Sequence, residues 1–327
     1  CFCPKKILIM KLKLYRSATV GLNFDNFKIL TDPWLTDGEH LGSWFHYPKF
    51  DFESHKDELN SYDAIYVSHI HPDHCSSDTL KQIDKKIPIF IHSFHRKFLK
   101  GKLEGLGFKV HELKNGELFK FNKNLNLRVY AADNCDPELC YKFSGCADLT
   151  AKEGSQQIDT LSVFEYNGHV IVNVNDCPYD LAKSTFSEIK KNYKKIDVLL
   201  TGYCGAGPYP QCFNNLDLNE KINEGQKKEK FFLDQAIKYI DQLKPSYILP
   251  FAGTYTLAGK LSGLNDLRGN PSIDSAFDYF DEYFSKNKNY EFIKTMRLNP
   301  GKTFDLIKGK SDGTYKKRDE KIYARYI

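Results

Sequence analysis

The 327-residue chain lacks any apolar run approaching the ~20 residues that a bilayer-spanning helix needs, so no membrane span is expected. A basic stripe is missing too. Its 47 Lys and Arg are interspersed with 42 Asp and Glu for a net charge of +5, which argues against nucleic acid as a partner. Lysine pairs at Lys190-Lys191, Lys227-Lys228 and Lys316-Lys317 read as solvated faces. The mild positive balance suits a small anionic substrate. Disulfide-scaffold spacing is absent as well: nine cysteines, an odd number, are scattered through the chain. That pattern predicts thiols in a reducing compartment, and the cytoplasm as location. The stretch Cys1–Ile9 is too short and too poorly patterned for a secretory signal. Met10 opens the first strand-like segment, so residues 1–9 are expected to be a non-core extension and residues 10–327 a single domain. No long Gly/Ser/Pro linker, internal repeat or low-complexity tract interrupts the rest.

What is present is ample core material, 41% hydrophobic and 14% aromatic residues. Lys11–Tyr15, Thr19–Phe24 and Phe27–Thr31 are β-prone runs, the last two joined by a tight turn at Asp25-Asn26. Asn115-Gly116 and Asn167-Gly168 predict two more hairpins. Helices are expected over Ser77–Lys85 and Phe94–Leu106, the second following a short strand at Ile89–Ile91. Another stripe, Leu233, Ala236, Ile237, Ile240 and Leu243, is closed by Pro245, and Ser246–Leu249 then reads as a strand. A last stripe joins Ile273, Ala276, Phe277, Phe280 and Phe284. Residues 214–230, polar and Lys-rich, read as a surface excursion. This order predicts an α/β protein with two sheets and helices outside.

One stretch carries chemistry. Asp63–Ser68 reads as a buried strand, and His69-Ile70-His71-Pro72-Asp73-His74 follows it at once. Three imidazoles and a carboxylate on a short loop after a strand form a dense ligand set suited to zinc, iron or manganese. Pro72 stiffens the loop.

The pattern His69-x-His71-x-Asp73-His74 after a strand resembles the signature of the metallo-β-lactamase superfamily. The resemblance implies a four-layer αββα sandwich. It also implies a divalent-metal cofactor of one or two ions, with His69 and His71 at one position and Asp73 and His74 at a second. Thr31-Asp32-Pro33-Trp34 is similar to a turn preceding the motif in one branch. Asp176, in Asn173-Val174-Asn175-Asp176-Cys177, stands where the family places a bridging aspartate.

Within the superfamily, several stretches resemble the lactamase-like part of CMP-N-acetylneuraminate hydroxylases. They are Gly202–Gly207 with Pro210–Phe213, Pro250–Gly253, Asp159-Thr160 and Pro300–Leu306. N-acyl-phosphatidylethanolamine phospholipase D and ascorbate-6-phosphate lactonase are looser relatives by the same comparison.

The sequence departs from the family at the later histidines. The loop Ala132-Asp133-Asn134-Cys135-Asp136 stands where a third is expected, so Asp133, Cys135 or Asp136 could replace it as ligand, or the loop is a polar turn. Pro250–Gly253 also lacks one. His92, His95 and His111 read as surface or satisfied histidines, and Cys75, Cys140, Cys146, Cys177, Cys204 and Cys212 as structural thiols. In the pocket wall, Trp44 and Tyr47, then Tyr203, Gly205 and Gly207, are substrate-binding candidates, through aromatic stacking and close backbone approach.

Three functions compete. The first is a metal-dependent hydrolase of a small anionic substrate, a sugar or nucleotide sugar by resemblance, with Asp73 as the catalytic carboxylate. The second is an iron-dependent hydroxylase of a sugar nucleotide such as CMP-sialic acid, favoured by the missing histidines. No Cys-x-His and Cys-x-x-His pair for a Rieske cluster is present, so its electrons would come from a separate electron-transfer partner. The third is a non-catalytic metal-binding protein.

Overall fold

The computed structural model describes residues 8–132 and 159–317. Its strands are β1 (Met10–Arg16), β2 (Thr19–Phe24), β3 (Phe27–Thr31), β4 (Trp44–Phe45), β5 (Ala64–Tyr66), β6 (Ile89–His92), β7 (Val110–Leu113), β8 (Phe119–Lys120) and β9 (Leu125–Ala131). After these come β10 (Thr160–Tyr166), β11 (His169–Asn173), β12 (Val198–Gly202), β13 (Tyr247–Phe251), β14 (Thr256–Leu257), β15 (Lys294–Thr295), β16 (Thr303–Asp305) and β17 (Lys310–Ser311). One mixed sheet runs β17-β16-β1-β2-β3-β5-β6-β7, and a second runs β15-β13-β12-β11-β10-β9-β8. A two-stranded ribbon pairs β14 with β4.

Period-two alternation explains why both sheets are buried on two faces. In β5, Ala64 and Tyr66 point between the sheets while Ile65 points outward. In β10, Phe164 and Tyr166 enter the inter-sheet core, and Leu161 and Val163 pack on the other face. Helices Phe52–Leu59, Ser77–Gln82 and Phe98–Gly105 supply the outer core of the first sheet. Helices Tyr179–Asn192, Leu218–Leu243 and Ile273–Ser285 supply that of the second. The result is the expected αββα sandwich. Among the described residues, no helix is long and apolar enough to cross a membrane.

Three local expectations are corrected. Asn115-Gly116 makes no hairpin: its turn carries the chain from β7 in the first sheet to β8 in the second. Asn167-Gly168, with φ of 49° and 82°, does close the β10–β11 hairpin, as a turn that matches strand twist. Second, most of the 214–230 excursion is helical. Asp217 accepts from the Glu220 amide at 2.9 Å and Glu220 returns to the Asp217 amide at 2.8 Å, a capping box that starts a 26-residue helix. The polar, Lys-rich composition belongs to its solvent-facing turns. Third, the helix expected from Phe94 begins only at Phe98.

Candidate metal centre

The site forms where strands of the two sheets end. Asp32 follows β3 in a left-handed conformation (φ 44°), and its amide donates to the Tyr66 carbonyl at 2.9 Å. Asn175 follows β11, also left-handed (φ 48°), and its amide donates to Asn173 Oδ1 at 3.1 Å. This side-chain turn redirects the chain so that Asp176 faces the histidine loop. Non-glycine residues at positive φ concentrate at functional sites because the surrounding structure must hold them there.

His69 is the hub. Its Nε2 lies 3.0 Å from His71 Nδ1 and 3.7 Å from Asp159 Oδ1. The His74 ring is 4.2 Å from the His69 ring, and His74 Nε2 is 3.3 Å from Asp176 Oδ2 and 3.8 Å from Asp73 Oδ2. Two donor sets result, His69–His71–Asp159 and His69–His74–Asp176, each with its ligand atoms within 4.8 Å of one another.

Buried polar groups orient this set. Asp32, fully buried, accepts from His74 Nδ1 at 3.2 Å, the Ser68 amide at 2.7 Å and the Ser68 hydroxyl at 2.9 Å. Ser68 Oγ is also 2.9 Å from His69 Nδ1, and the Thr160 hydroxyl donates to the Ser68 carbonyl at 2.6 Å. Carboxylates behind ligating imidazoles fix the ring orientation and tautomer.

The electrostatics suit a cation. Burial and the neighbouring His74 hold the His69 imidazole well below its ordinary pKa. Burial likewise opposes a charge on His74, but Asp176, Asp32 and Asp73 outweigh it and raise its pKa well above the ordinary value. Burial and the charge of Asp176 push the Asp159 carboxyl up to about 8. Burial works against ionised Asp176 as well, yet His74 and then His69 and His71 keep it below the usual carboxylate range. A divalent ion relieves both strains, because it keeps imidazoles neutral and carboxylates ionised. His74 Nε2 is buried with no well-aligned hydrogen bond. Three imidazoles with aspartates fit zinc, iron or manganese.

The set sits at the edge of a cavity of about 670 Å³, within the usual range for small-molecule sites. His71, Asp73 and Asp176 face it, opposite Trp44, Phe231, Phe232 and Leu261. His40 lies on a turn of left-handed residues (φ 49° at His40). Its Nε2 is 3.5 Å from Asp73 Oδ1, and its ring is 3.8 Å from that of Trp44.

Of the residues read from the sequence, His69, His71, Asp73, His74 and Asp176 come together here. Trp44, Gly205 and Gly207 line the cavity. A Cβ on Gly205 would meet the Phe232 ring at 2.0 Å, so this glycine makes room for an aromatic side chain of the protein itself, in place of the expected close approach of its backbone to a substrate. Tyr47 and Tyr203 line a different cleft. Asp133, Cys135 and Asp136 lie outside the described residues, as do Cys140 and Cys146. Cys75, Cys177 and Cys204 are buried, whereas Cys212 is exposed at the cavity. His92 is buried, and burial pushes it down to about 4.

Sequence reasoning missed three contributors. Asp159 had a signal only in the Asp159-Thr160 resemblance. Asp32 was noted for its turn, with no contact to His74 in view. His40 had none.

The cytidine monophosphate-N-acetylneuraminic acid hydroxylase of Asterias rubens is 23% identical over 99% of this chain, which covers 47% of that protein. The chain thus spans about half the length of this curated relative. Among solved structures, an isothiocyanate hydrolase from Delia radicum gut bacteria superposes with a TM-score of 0.59 at 16% identity, covering 90% of this chain and 98% of its own. CmlA, a diiron beta-hydroxylase from Streptomyces venezuelae, superposes at 0.56 with 14% identity, over 91% of this chain and 54% of its own. These structural likenesses concern the fold. The family model described as beta-lactamase superfamily domain matches residues 11–252, well over half the sequence, and the chain belongs to that family.

Proposed function

We propose that the chain is a metal-dependent hydrolase acting on a small anionic substrate, a sugar or nucleotide sugar. The observation that carries this reading is the pair of His-His-Asp sets sharing His69 at the edge of an open cavity. His69, His71, His74, Asp159 and Asp176 would hold a divalent ion, which would supply Lewis acidity to a bound water and to a carbonyl or phosphoryl oxygen. Asp73 projects into the cavity beside these ligands and takes the proton from the attacking water, then returns it to the leaving group. His40, 3.5 Å from Asp73 Oδ1, orients that carboxylate. Asp32 and Ser68 hold the imidazoles in place. The sugar-nucleotide assignment rests on the similarity to the hydroxylases.

A second reading is an iron-dependent hydroxylase of a sugar nucleotide, drawing electrons from a separate donor. Asp159 favours it: a carboxylate as third donor makes His69–His71–Asp159 a two-histidine, one-carboxylate set, a donor type used by non-haem iron oxygenases. One experiment separates the two. The purified protein is assayed with phosphoesters, lactones and nucleotide sugars under air and under argon, beside His71→Ala. Hydrolysis that persists under argon and vanishes in His71→Ala supports the hydrolase. Turnover that needs oxygen and a reductant overturns it in favour of the second reading.

A further inference from the structure

Beyond the metal-centre cavity lie the cleft at Tyr47 and Tyr203, where Arg16 and Arg268 reach the lining, and a recess on the outer face of the first sheet. The recess holds about 370 Å³, within the range of small-molecule sites, and shares no lining residue with the metal-centre cavity. Its floor follows from strand alternation. Leu12, Leu22, Ile29 and Phe304 face the inter-sheet core, so their neighbours Lys11, Asn23, Lys28 and Asp305 face outward. Register sets these in one row across five strands. Lys28 opposes Asn23, Asn23 opposes Lys11, Lys11 opposes Asp305, and Asp305 opposes Lys310. With about 4.8 Å between strands, Lys28 and Lys310 each stand about 10 Å from Lys11 along the row. Flexible four-carbon stems can close that gap on one ligand. The outer helices pack on Leu30, Ile65 and Ile89 and leave this half of the sheet to polar side chains. Tyr62 bounds one side by lying over Gly21, where a Cβ would collide with its hydroxyl.

Five lysines line the recess against three acids. Two of the lysines are already matched: Lys13 pairs with Glu58 at 2.6 Å, and Lys308 with Asp305 at 3.3 Å. The third acid, Asp312, accepts from the Thr303 amide at 3.0 Å. Lys28 gives one of its three ammonium donors to Ser61 Oγ at 3.1 Å. The ammonium groups of Lys11 and Lys310 make no hydrogen bond or ion pair among the described residues. Asn23, between Lys11 and Lys28 in the row, has its buried Oδ1 without a hydrogen-bond partner. Three ammonium groups thus share one recess with a single carboxylate, Asp312, that stands outside an ion pair. A recess with such an excess of one sign concentrates ions of the other.

We propose that this recess is a ligand site separate from the metal centre, taking an oligophosphate, free or carried on a nucleoside, through Lys11 and Lys310 with Lys28 beside them. Ammonium groups bind phosphate as point charges, through charge-assisted hydrogen bonds. A chain of phosphates can meet several ammonium groups spaced along a row, which a single phosphate cannot span.

Calorimetric titration of the purified protein with inorganic triphosphate, and separately with ATP, tests this. Because a metal centre also attracts phosphates, the same titrations are run on His71→Ala. A second control is Lys191→Gln, at an exposed lysine on the helix Tyr179–Asn192 over the other sheet. The expected result is saturable binding that weakens by about tenfold or more in the double variant Lys11→Gln/Lys310→Gln but changes by less than about twofold in both controls. Lys310→Glu alone, at an exposed position of a two-residue strand, reverses one charge without touching the core and weakens binding in the same direction should the double variant fail to fold. Tighter binding of ATP assigns the nucleotide as the source, and equal or weaker binding the free oligophosphate. No saturable binding of either probe overturns the assignment, as does an equal loss in Lys191→Gln. Binding lost in His71→Ala but kept in the lysine variants overturns it too. Binding of hexaglutamate but of neither phosphate probe overturns it in favour of an acidic protein segment.

Discussion

The metal-centre cavity and the arginine cleft are close neighbours, and the same strand ends build both. After β12, Tyr203 turns to the cleft and Cys204 to the cavity; Trp44 and Tyr255 stack with one ring lining each. Their chemistry is nevertheless opposite. The cavity gathers aspartates and imidazoles, a donor set of the kind that suits a cation, while the cleft gathers arginines with no acid on its lining among the described residues. Adjacent residues at a strand end point to opposite sides, so one short segment lines two recesses of different charge. A change on one side should therefore leave the other largely intact.

The largest separation is expected from His74→Ala. It removes a buried candidate ligand and should weaken metal binding by more than the ~10–100-fold that outer partners command. Competition with a chromogenic chelator measures this. Next comes Asp32→Asn, which keeps the shape but replaces the carboxylate that accepts from His74 and twice from Ser68. It should weaken metal binding by ~10–100-fold. An unchanged affinity would show that Asp32 positions nothing.

From the cleft side, His46 gives a pH signature. Its folded pKa lies near 3 against an ordinary 6.5, so the unfolded chain takes up a proton that the native state refuses. Its contribution to stability is fully present above the ordinary value and is lost as pH falls from about 6.5 toward about 3. Urea midpoints for His46→Gln should decline less across that window than those of the natural protein. A parallel decline would rule His46 out. The smallest effect is structural: Gly205→Ala forces a Cβ against the Phe232 ring and should cost about 1–3 kcal/mol in denaturant unfolding.

How much of this was legible in the sequence follows from locality. His69 to His74 lie within six residues behind an apolar strand, so the candidate ligands and their placement after β5 could be read. The sandwich was legible for the same reason, since alternation in β5 and β10 is a local pattern. Asp159 and Asp32 are single carboxylates at strand ends, and such residues usually only make turns. They become functional only through long-range contacts, Asp32 to His74 across 42 residues and Asp159 to His69, which no local pattern records. Residues 218–230 misled because polarity was read as a loop, when a capping box and a long solvent-facing helix account for it. Arg16 and Arg268 carry no spacing signal and converge only through topology.

The central claim is that His69, His71, His74, Asp159 and Asp176 hold a metal. Elemental analysis of the protein, purified without added metal and without chelator, tests it most directly. One or two equivalents per chain of zinc, iron or manganese are expected. A folded protein that carries none, and takes up none of the three when they are supplied, would contradict it.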